Sequence, residues 1–267
     1  MRHHVVDVFA DDRFAGNPAA VVVSSRFPSE AQMQRGAHRI GLPTTAYLVP
    51  DGPGQYQVRW FTPFAEINLC GHATIAAARV LFDRDVNGAR SRLTFTSRHG
   101  VLHTERVGNM VSIDLPAADP TPCSPPPGLV DALGGGTAVG EVVSDDDLLV
   151  ELASPAAVAA VAPDYGALAR LPFRGHIVTA RADDGVDFVS RTFFPSLGVD
   201  EDQVCVTAHT MLAPYWSARL GRSRMTALQL SERGGRLVVD DAGDRVKVLG
   251  SAVRRAAPAF AAGGAPQ

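Results

Sequence analysis

"NLCGHATIAAARVLFDR", residues 68–84, decides the fold. Ala73, Ala76, Ala77, Val80 and Leu81 recur at helical spacing, yet most of their neighbours are apolar too. A helix that is apolar nearly all round has no solvent face and belongs inside a protein. The stretch therefore predicts a buried helix over 71–84, entered through Cys70-Gly71-His72. A buried helix needs a wrapping, and the sequence on both sides supplies strands for it.

Upstream, "HHVVDVFA" (3–10) and "AAVVVSS" (19–25) are apolar and rich in β-branched residues. Between them "DDRFAGNP" is turn chemistry centred on Gly16-Asn17-Pro18, so residues 1–25 read as a hairpin with a long tip. "SEAQMQRGAHRIG" (29–41) reads as a helix, with Ser29 as N-cap, Met33, Ala37 and Ile40 on one face and Gly41 as the stop. "TTAYLVP" (44–50) and "QYQVRWFTP" (55–63) read as strands, and so does most of 92–116, with turns at Gly100 and Gly108-Asn109.

The Pro-rich run "PAADPTPCSPPPG" (116–128) marks a boundary between an N-terminal half, 1–117, and a C-terminal half, 118–253. The second half echoes the first. After strands at "GEVVS", "DLLVELAS", "GHIVTARA" and "VDFVSRTFFP", the stretch "VTAHTMLAPYWSARLG" again leads a Cys- and His-bearing loop into a helix, near 207–221. Antiparallel strands close the chain and can return to the first half. Residues 254–267 read as a disordered tail. The fold class is α+β, with two similar halves, each a sheet around a helix.

The 267 residues carry a net charge of −3, and no basic block is interleaved with aromatics, which argues against nucleic acid as a partner. No apolar run approaches the roughly 20 residues of a membrane span. The start lacks the apolar core of a signal peptide, so a cytoplasmic location is expected. Three cysteines, Cys70, Cys123 and Cys205, are an odd number and argue against a disulfide framework.

The chemistry sits where loops meet helices. A helix N-terminus presents unpaired N–H groups and the positive end of the dipole, so a small carboxylate can dock there without a basic side chain. Two such termini facing each other would hold a small carboxylic acid between them. The groups available for proton transfer are Glu66, Cys70 and His72 near the first helix, and Asp202, Cys205, Thr207 and His209 near the second. The dipole would bias His72 towards its neutral form.

Four stretches together are more specific: "VDVFADDRFAGNPAAVVV", "VRWFTPFAEINLCGHATIAAARVLF", "DEDQVCVTAHTMLAPYW" and "RGGRLVVDDAGDRVKVLGSAV". In order and spacing they resemble the phenazine-biosynthesis PhzF-like family, over about Val5 to Val253. The resemblance implies a diaminopimelate epimerase-like fold with the site in the cleft between two halves, each a β-barrel-like sheet around a central helix. It implies a homodimer, no metal or organic cofactor, and an isomerase that moves a proton or double bond on a small unsaturated or cyclic carboxylic acid, in a biosynthetic, antibiotic-type pathway.

Residue by residue, the resemblance makes His72 and Asp202 catalytic. It places Thr44, Gly71, Ala73, Thr207 and Ala208 against the substrate. Thr44 stands where the family's "L-S-E-T-A-F" string has the glutamate acid/base, and Val206 stands where its "D-P-V-T-G-S-A-H" string has glycine. A threonine hydroxyl is no base near neutral pH, so the chain has altered its proton transfer or kept only binding. Cys70 and Cys205 fall roughly where related epimerases carry a cysteine pair. With His209 they form the alternative catalytic set, that of an amino-acid racemase or epimerase. The other alternative is an inactive protein that binds small carboxylates.

Overall fold

Strand β1 (His4–Val8) pairs antiparallel with β2 (Asn17–Val23). Helix α1 (Glu30–Ile40) follows. Ser29 and Gln32 cap it reciprocally in a capping box, and Gly41 ends it in the left-handed conformation. Such a cap contributes about 1 kcal/mol. The helix carries the chain across so that β3 (Thr44–Gly52) lies parallel to β2. Then come β4 (Gln55–Phe61), the short β5 (Glu66–Ile67) and helix α2 (Gly71–Arg84). The structure is a computed structural model and describes residues 2–85, 88, 90–135 and 139–256.

Eleven of the fourteen residues of α2 are buried, as an all-round apolar helix requires. Strands β6 (Arg92–Ser97), β7 (Gly100–Val107) and β8 (Met110–Pro116) continue the wrapping. Its last member comes from the far end of the chain. Strand β16 (Arg245–Arg254) pairs with β8 on one edge and with β1 on the other. The order β1-β2-β3-β4-β6-β7-β8-β16 thus closes on itself as an eight-stranded barrel around α2. Small side chains at Ala73, Ala76 and Ala77 let the strands approach the helix closely. A larger residue there would overpack the core at a cost of about 1–3 kcal/mol.

The rest of the chain extends the same sheet. Beyond the two-residue β9 (Thr121–Pro122) and helix α3 (Leu129–Ala132) lie β10 (Val139–Ser144) and β11 (Leu148–Leu152). Helices α4 (Pro155–Ala160) and α5 (Tyr165–Leu168) precede β12 (His176–Arg181) and β13 (Phe188–Phe193). Helix α6 (His209–Leu220), β14 (Arg224–Gln229) and β15 (Gly235–Asp241) complete the path to β16. One core cluster unites the interior of the barrel, α2 and α6. A second, formed by residues such as Leu133, Val150, Val158, Leu168 and Phe193, packs α3, α4 and α5 on the sheet.

Helix α6 contains Pro214, which removes a donor to the carbonyl of Thr210. The backbone N–H of Ala118 takes that carbonyl at 3.0 Å, so the Pro-rich connector repairs the helix. The stretch around α4 was not read as a helix from sequence, although Ser154 caps it and Pro155 opens it. Cys123, inside the Pro-rich run, is half-buried against the second core. Of the tail expected to be disordered, 254–256 are described, with Arg254 still in β16, and residues from 257 onward lie outside the described part. No helix among the described residues is long and apolar enough to cross a membrane.

Candidate active site

The two helices of the main core start against each other. Cys70 occupies the N-cap position of α2, with Gly71, His72 and Ala73 buried behind it. Helix α6 begins at His209, two residues later than expected, after a turn over Val206, Thr207 and Ala208. Ala208 at its N-cap offers no side-chain cap. A β-carbon placed on Gly71 would stand 2.5 Å from Cβ of Val206, so the two helix starts are in direct contact.

Around this seam a buried polar chain joins distant parts of the sequence. Asn17 is wholly buried, and its side-chain amide donates to Asp202 Oδ1 at 2.7 Å and to the Val204 carbonyl at 3.1 Å. The same nitrogen lies 3.3 Å from His72 Nδ1. Cys70 Sγ lies 3.5 Å from that ring nitrogen and 3.4 Å from the hydroxyl of Thr44. The structure therefore links Asp202 to His72 through Asn17, and His72 to Thr44 through Cys70. Asn17 Oδ1 is buried without a partner, which leaves one unused acceptor at the site.

Sequence reading missed Asn17, because "GNP" reads as turn chemistry. The backbone explains the conversion. Gly16 has a φ of +68°, and a side chain there would collide with the Val8 carbonyl at 2.3 Å. This turn delivers Asn17 inward as the first residue of β2. Gln229, at the end of β14, was missed as well. It accepts from the Cys205 backbone N–H at 2.9 Å and donates to Thr192 Oγ1 and the Asp202 carbonyl, which fixes the segment carrying Asp202. Beside Asp202, Glu201 is clamped by Arg191 through two bonds of 2.7 and 2.9 Å.

His72 Nδ1 faces two partners that want opposite protonation. Unprotonated, it competes with the Val204 carbonyl for the second amide hydrogen of Asn17; protonated, it donates to the Cys70 sulfur. Burial pushes this imidazole down, but Cys70, Asp202 and the Pro18 carbonyl outweigh that, so its pKa ends above the ordinary histidine value. The bias towards the neutral form expected from the helix dipole is thus overturned. The dipole is a fraction of a charge, whereas the Cys70 sulfur can accept from the ring and the Asp202 carboxylate lies just beyond Asn17.

Of the alternative set, Cys70 joins this site, whereas His209 and Cys205 are placed differently. His209 is a core residue: Nδ1 lies 2.7 Å from the Cys205 carbonyl, and Phe188 packs against the ring at 6.0 Å. Burial lowers its pKa to about 4. Burial, with Asp202 nearby, pushes the Cys205 thiol well up, which opposes the thiolate a cysteine pair needs. The Cys205 sulfur is 3.3 Å from Thr207 Oγ1. Glu66 is bound by Arg59 at 2.6 and 2.5 Å, and that bonding holds its carboxyl below the usual range, so it is tied up in a partly buried ion pair.

The model of the PhzC-PhzF family, phenazine biosynthesis-like proteins, matches residues 6–257. A Pseudomonas aeruginosa protein named an uncharacterised isomerase is 46% identical over 247 residues, 92% of this chain and 93% of its own. The human phenazine biosynthesis-like domain-containing protein is 33% identical and covers 93% of this chain and 94% of its own. Among solved structures, a PhzF-family protein of Enterococcus faecalis superposes with a TM-score of 0.90 at 42% identity, over 95% of this chain and 96% of that one. A hydroxyproline epimerase of Agrobacterium vitis superposes with a TM-score of 0.59 at 10% identity, which speaks for the fold alone.

Proposed function

Because the chain belongs to the PhzC-PhzF, or phenazine biosynthesis-like, family, we propose that it is an isomerase moving a proton on a small unsaturated or cyclic carboxylic acid. The observation that carries this reading is the Asp202–Asn17–His72 chain, with its 2.7 and 3.3 Å contacts. It joins an acceptor-only carboxylate to an imidazole held ready to protonate, across the contact of two helix N-termini.

In this reading Asp202 takes the substrate proton and protonated His72 returns one at another carbon; exchange with solvent then removes the proton from Asp202 and restores that of His72, so the double bond shifts and the formula is unchanged. Side chains alone move the proton, with no cofactor. Backbone N–H groups at Gly71, Ala73 and Ala208 hold the carboxylate. The hydroxyls of Thr44 and Thr207 hydrogen-bond the substrate. A substrate acidified by conjugation suits a site with a threonine at position 44, because the proton leaves to a weaker base. Such acids fit a secondary-metabolite pathway, and the protein is read as a cytoplasmic homodimer, for which sedimentation at micromolar concentration showing only a monomer is the contrary result. Incubation with conjugated dienoic acids in D₂O tests the activity. Deuterium uptake above a protein-free blank is expected, and its absence across the set defeats the isomerase reading.

A second reading, binding without turnover, is favoured by one observation. The Thr44 hydroxyl is buried against the Cys70 thiol rather than against a carboxylate. Thermal stabilisation by an acid that never exchanges a proton is its signature.

A further inference from the structure

A groove of about 1040 Å³ lies between helix α1 and residues 24–29, the segment that leads into it. It sits at the end of β2 away from Asn17, roughly 20 Å along the strand from that residue. Both walls are fixed. The Tyr47 hydroxyl donates to the Met33 carbonyl at 2.8 Å, which pins α1 to β3. On the other side the Ser24 N–H donates to the Leu48 carbonyl at 3.0 Å, and the Ser24 hydroxyl donates to the Arg26 carbonyl at 2.9 Å. Arg26 lines the groove from the segment, Arg35 and Arg39 line it from the helix, and no Asp or Glu among the described residues does so. All three arginines are exposed. Other exposed arginines take carboxylates, as Arg92 takes Glu105, Arg222 takes Asp187 and Arg224 takes Asp240. Among the described residues, Arg26, Arg35 and Arg39 have no such partner. Arg35 and Arg39 stand four apart on α1, a spacing at which like charges repel. The recess thus focuses positive potential on a chain whose net charge is −3.

We infer that this groove binds a small oligophosphate, a molecule with two or more linked phosphate groups, through Arg26, Arg35 and Arg39. A planar carboxylate engages a guanidinium fork edge-on, whereas the tetrahedrally arranged oxygens of a phosphate can meet forks that come from two walls. Linked phosphates supply enough negative charge to answer three cations at once. The groove has the size of a whole small-molecule site, more than a single ion fills. Half-buried Phe27 and Ile40 give it an apolar floor for the organic part of such a ligand. The site is separate from the Asp202–Asn17–His72 chain and stands whether or not the isomerase reading does.

Titration calorimetry with inorganic pyrophosphate, free of divalent cations and at constant ionic strength, tests this. The wild type is expected to bind one pyrophosphate per chain, at least about tenfold more tightly than citrate, a polycarboxylate of similar charge. Arg26→Gln, Arg35→Gln and Arg39→Gln should each weaken pyrophosphate binding at least about threefold, and Arg35→Gln with Arg39→Gln at least about tenfold. Arg35→Lys, which keeps the charge and loses the fork, should fall between wild type and Arg35→Gln. Arg181→Gln, exposed at the end of β12, should change nothing. Absence of pyrophosphate binding overturns the inference. So does binding that the groove variants leave unchanged, or citrate bound as tightly as pyrophosphate. A second copy of this chain is the rival occupant. A dimer in sedimentation that pyrophosphate does not displace, and that Arg35→Gln with Arg39→Gln dissociates, would give the groove to that copy and overturn the inference as well.

Discussion

The starts of α2 and α6 carry nearly the same letters, Cys70-Gly71-His72 and Cys205-Val206-Thr207-Ala208-His209, and they do opposite things. At α2 the histidine faces Cys70, Asn17 and Asp202, and its pKa rises. At α6 the histidine faces a backbone carbonyl and an aromatic ring, and its pKa falls to about 4. The cysteines divide likewise, Cys70 among polar partners and Cys205 with its thiol pushed up by burial. A repeated motif therefore does not imply a repeated role. What decides is which distant residues each copy meets, and only one copy meets a carboxylate through an amide.

That comparison breaks most sharply at its acid–base pair. Asp202→Asn and His72→Ala should each lower turnover by about 10²–10⁴ or more without unfolding the protein. Either variant at wild-type rate, by deuterium exchange, would show that the α2 side is not the chemical one. Next comes Asn17→Leu, which keeps the volume but removes the link. A loss of about 10²-fold in exchange is expected, together with a changed His72 titration by NMR. An unchanged titration would make Asn17 a packing residue. Thr44→Ala should cost at most about tenfold, roughly 1.4 kcal/mol. If it matches Asp202→Asn, the hydroxyl is part of the proton path.

The smallest effect concerns stability and opposes the two histidines by sign. For His209 the folded pKa, about 4, lies below the unfolded 6.5. Between those values the unfolded chain takes up a proton that the fold refuses, so stability falls as pH drops from 6.5 to 4, by at most roughly 3 kcal/mol. For His72 the folded value is raised. Its contribution is complete below the unfolded pKa and is lost as pH rises through the folded one. Urea midpoints between pH 4 and 8 should show a shallower acid limb in His209→Gln and a shallower alkaline decline in His72→Ala. Identical curves would mean that neither ring titrates as its surroundings dictate.

The fold was legible where local chemistry and burial agree. Ser29 and Gly41 mark α1 by capping, and the all-round apolar run of 71–84 marks a helix with a barrel about it. The site was legible only as far as residue types carry chemistry, which covers His72, Asp202 and the cysteines. Asn17 was not, because its partners lie 55 and 185 residues away in the chain, and a turn asparagine and a bridging one look alike in sequence. The separation of His72 from His209 was hidden for the same reason. The parallel pairings β2–β3, β4–β6, β11–β12 and β13–β14 also depend on crossovers rather than on neighbouring turns.

The closure of the barrel by β16 has a consequence for how the protein is made. On the ribosome, β1 and β8 emerge early, but the strand that joins them is translated only after residues 117–244. At about 5–20 residues per second, both edges stay unpaired while residues 117–244 are synthesised. Open strand edges are templates for wrong pairing. A chain that stalls or is cut before Arg245 leaves a barrel that cannot shut, with α2 and its histidine exposed to any passing strand.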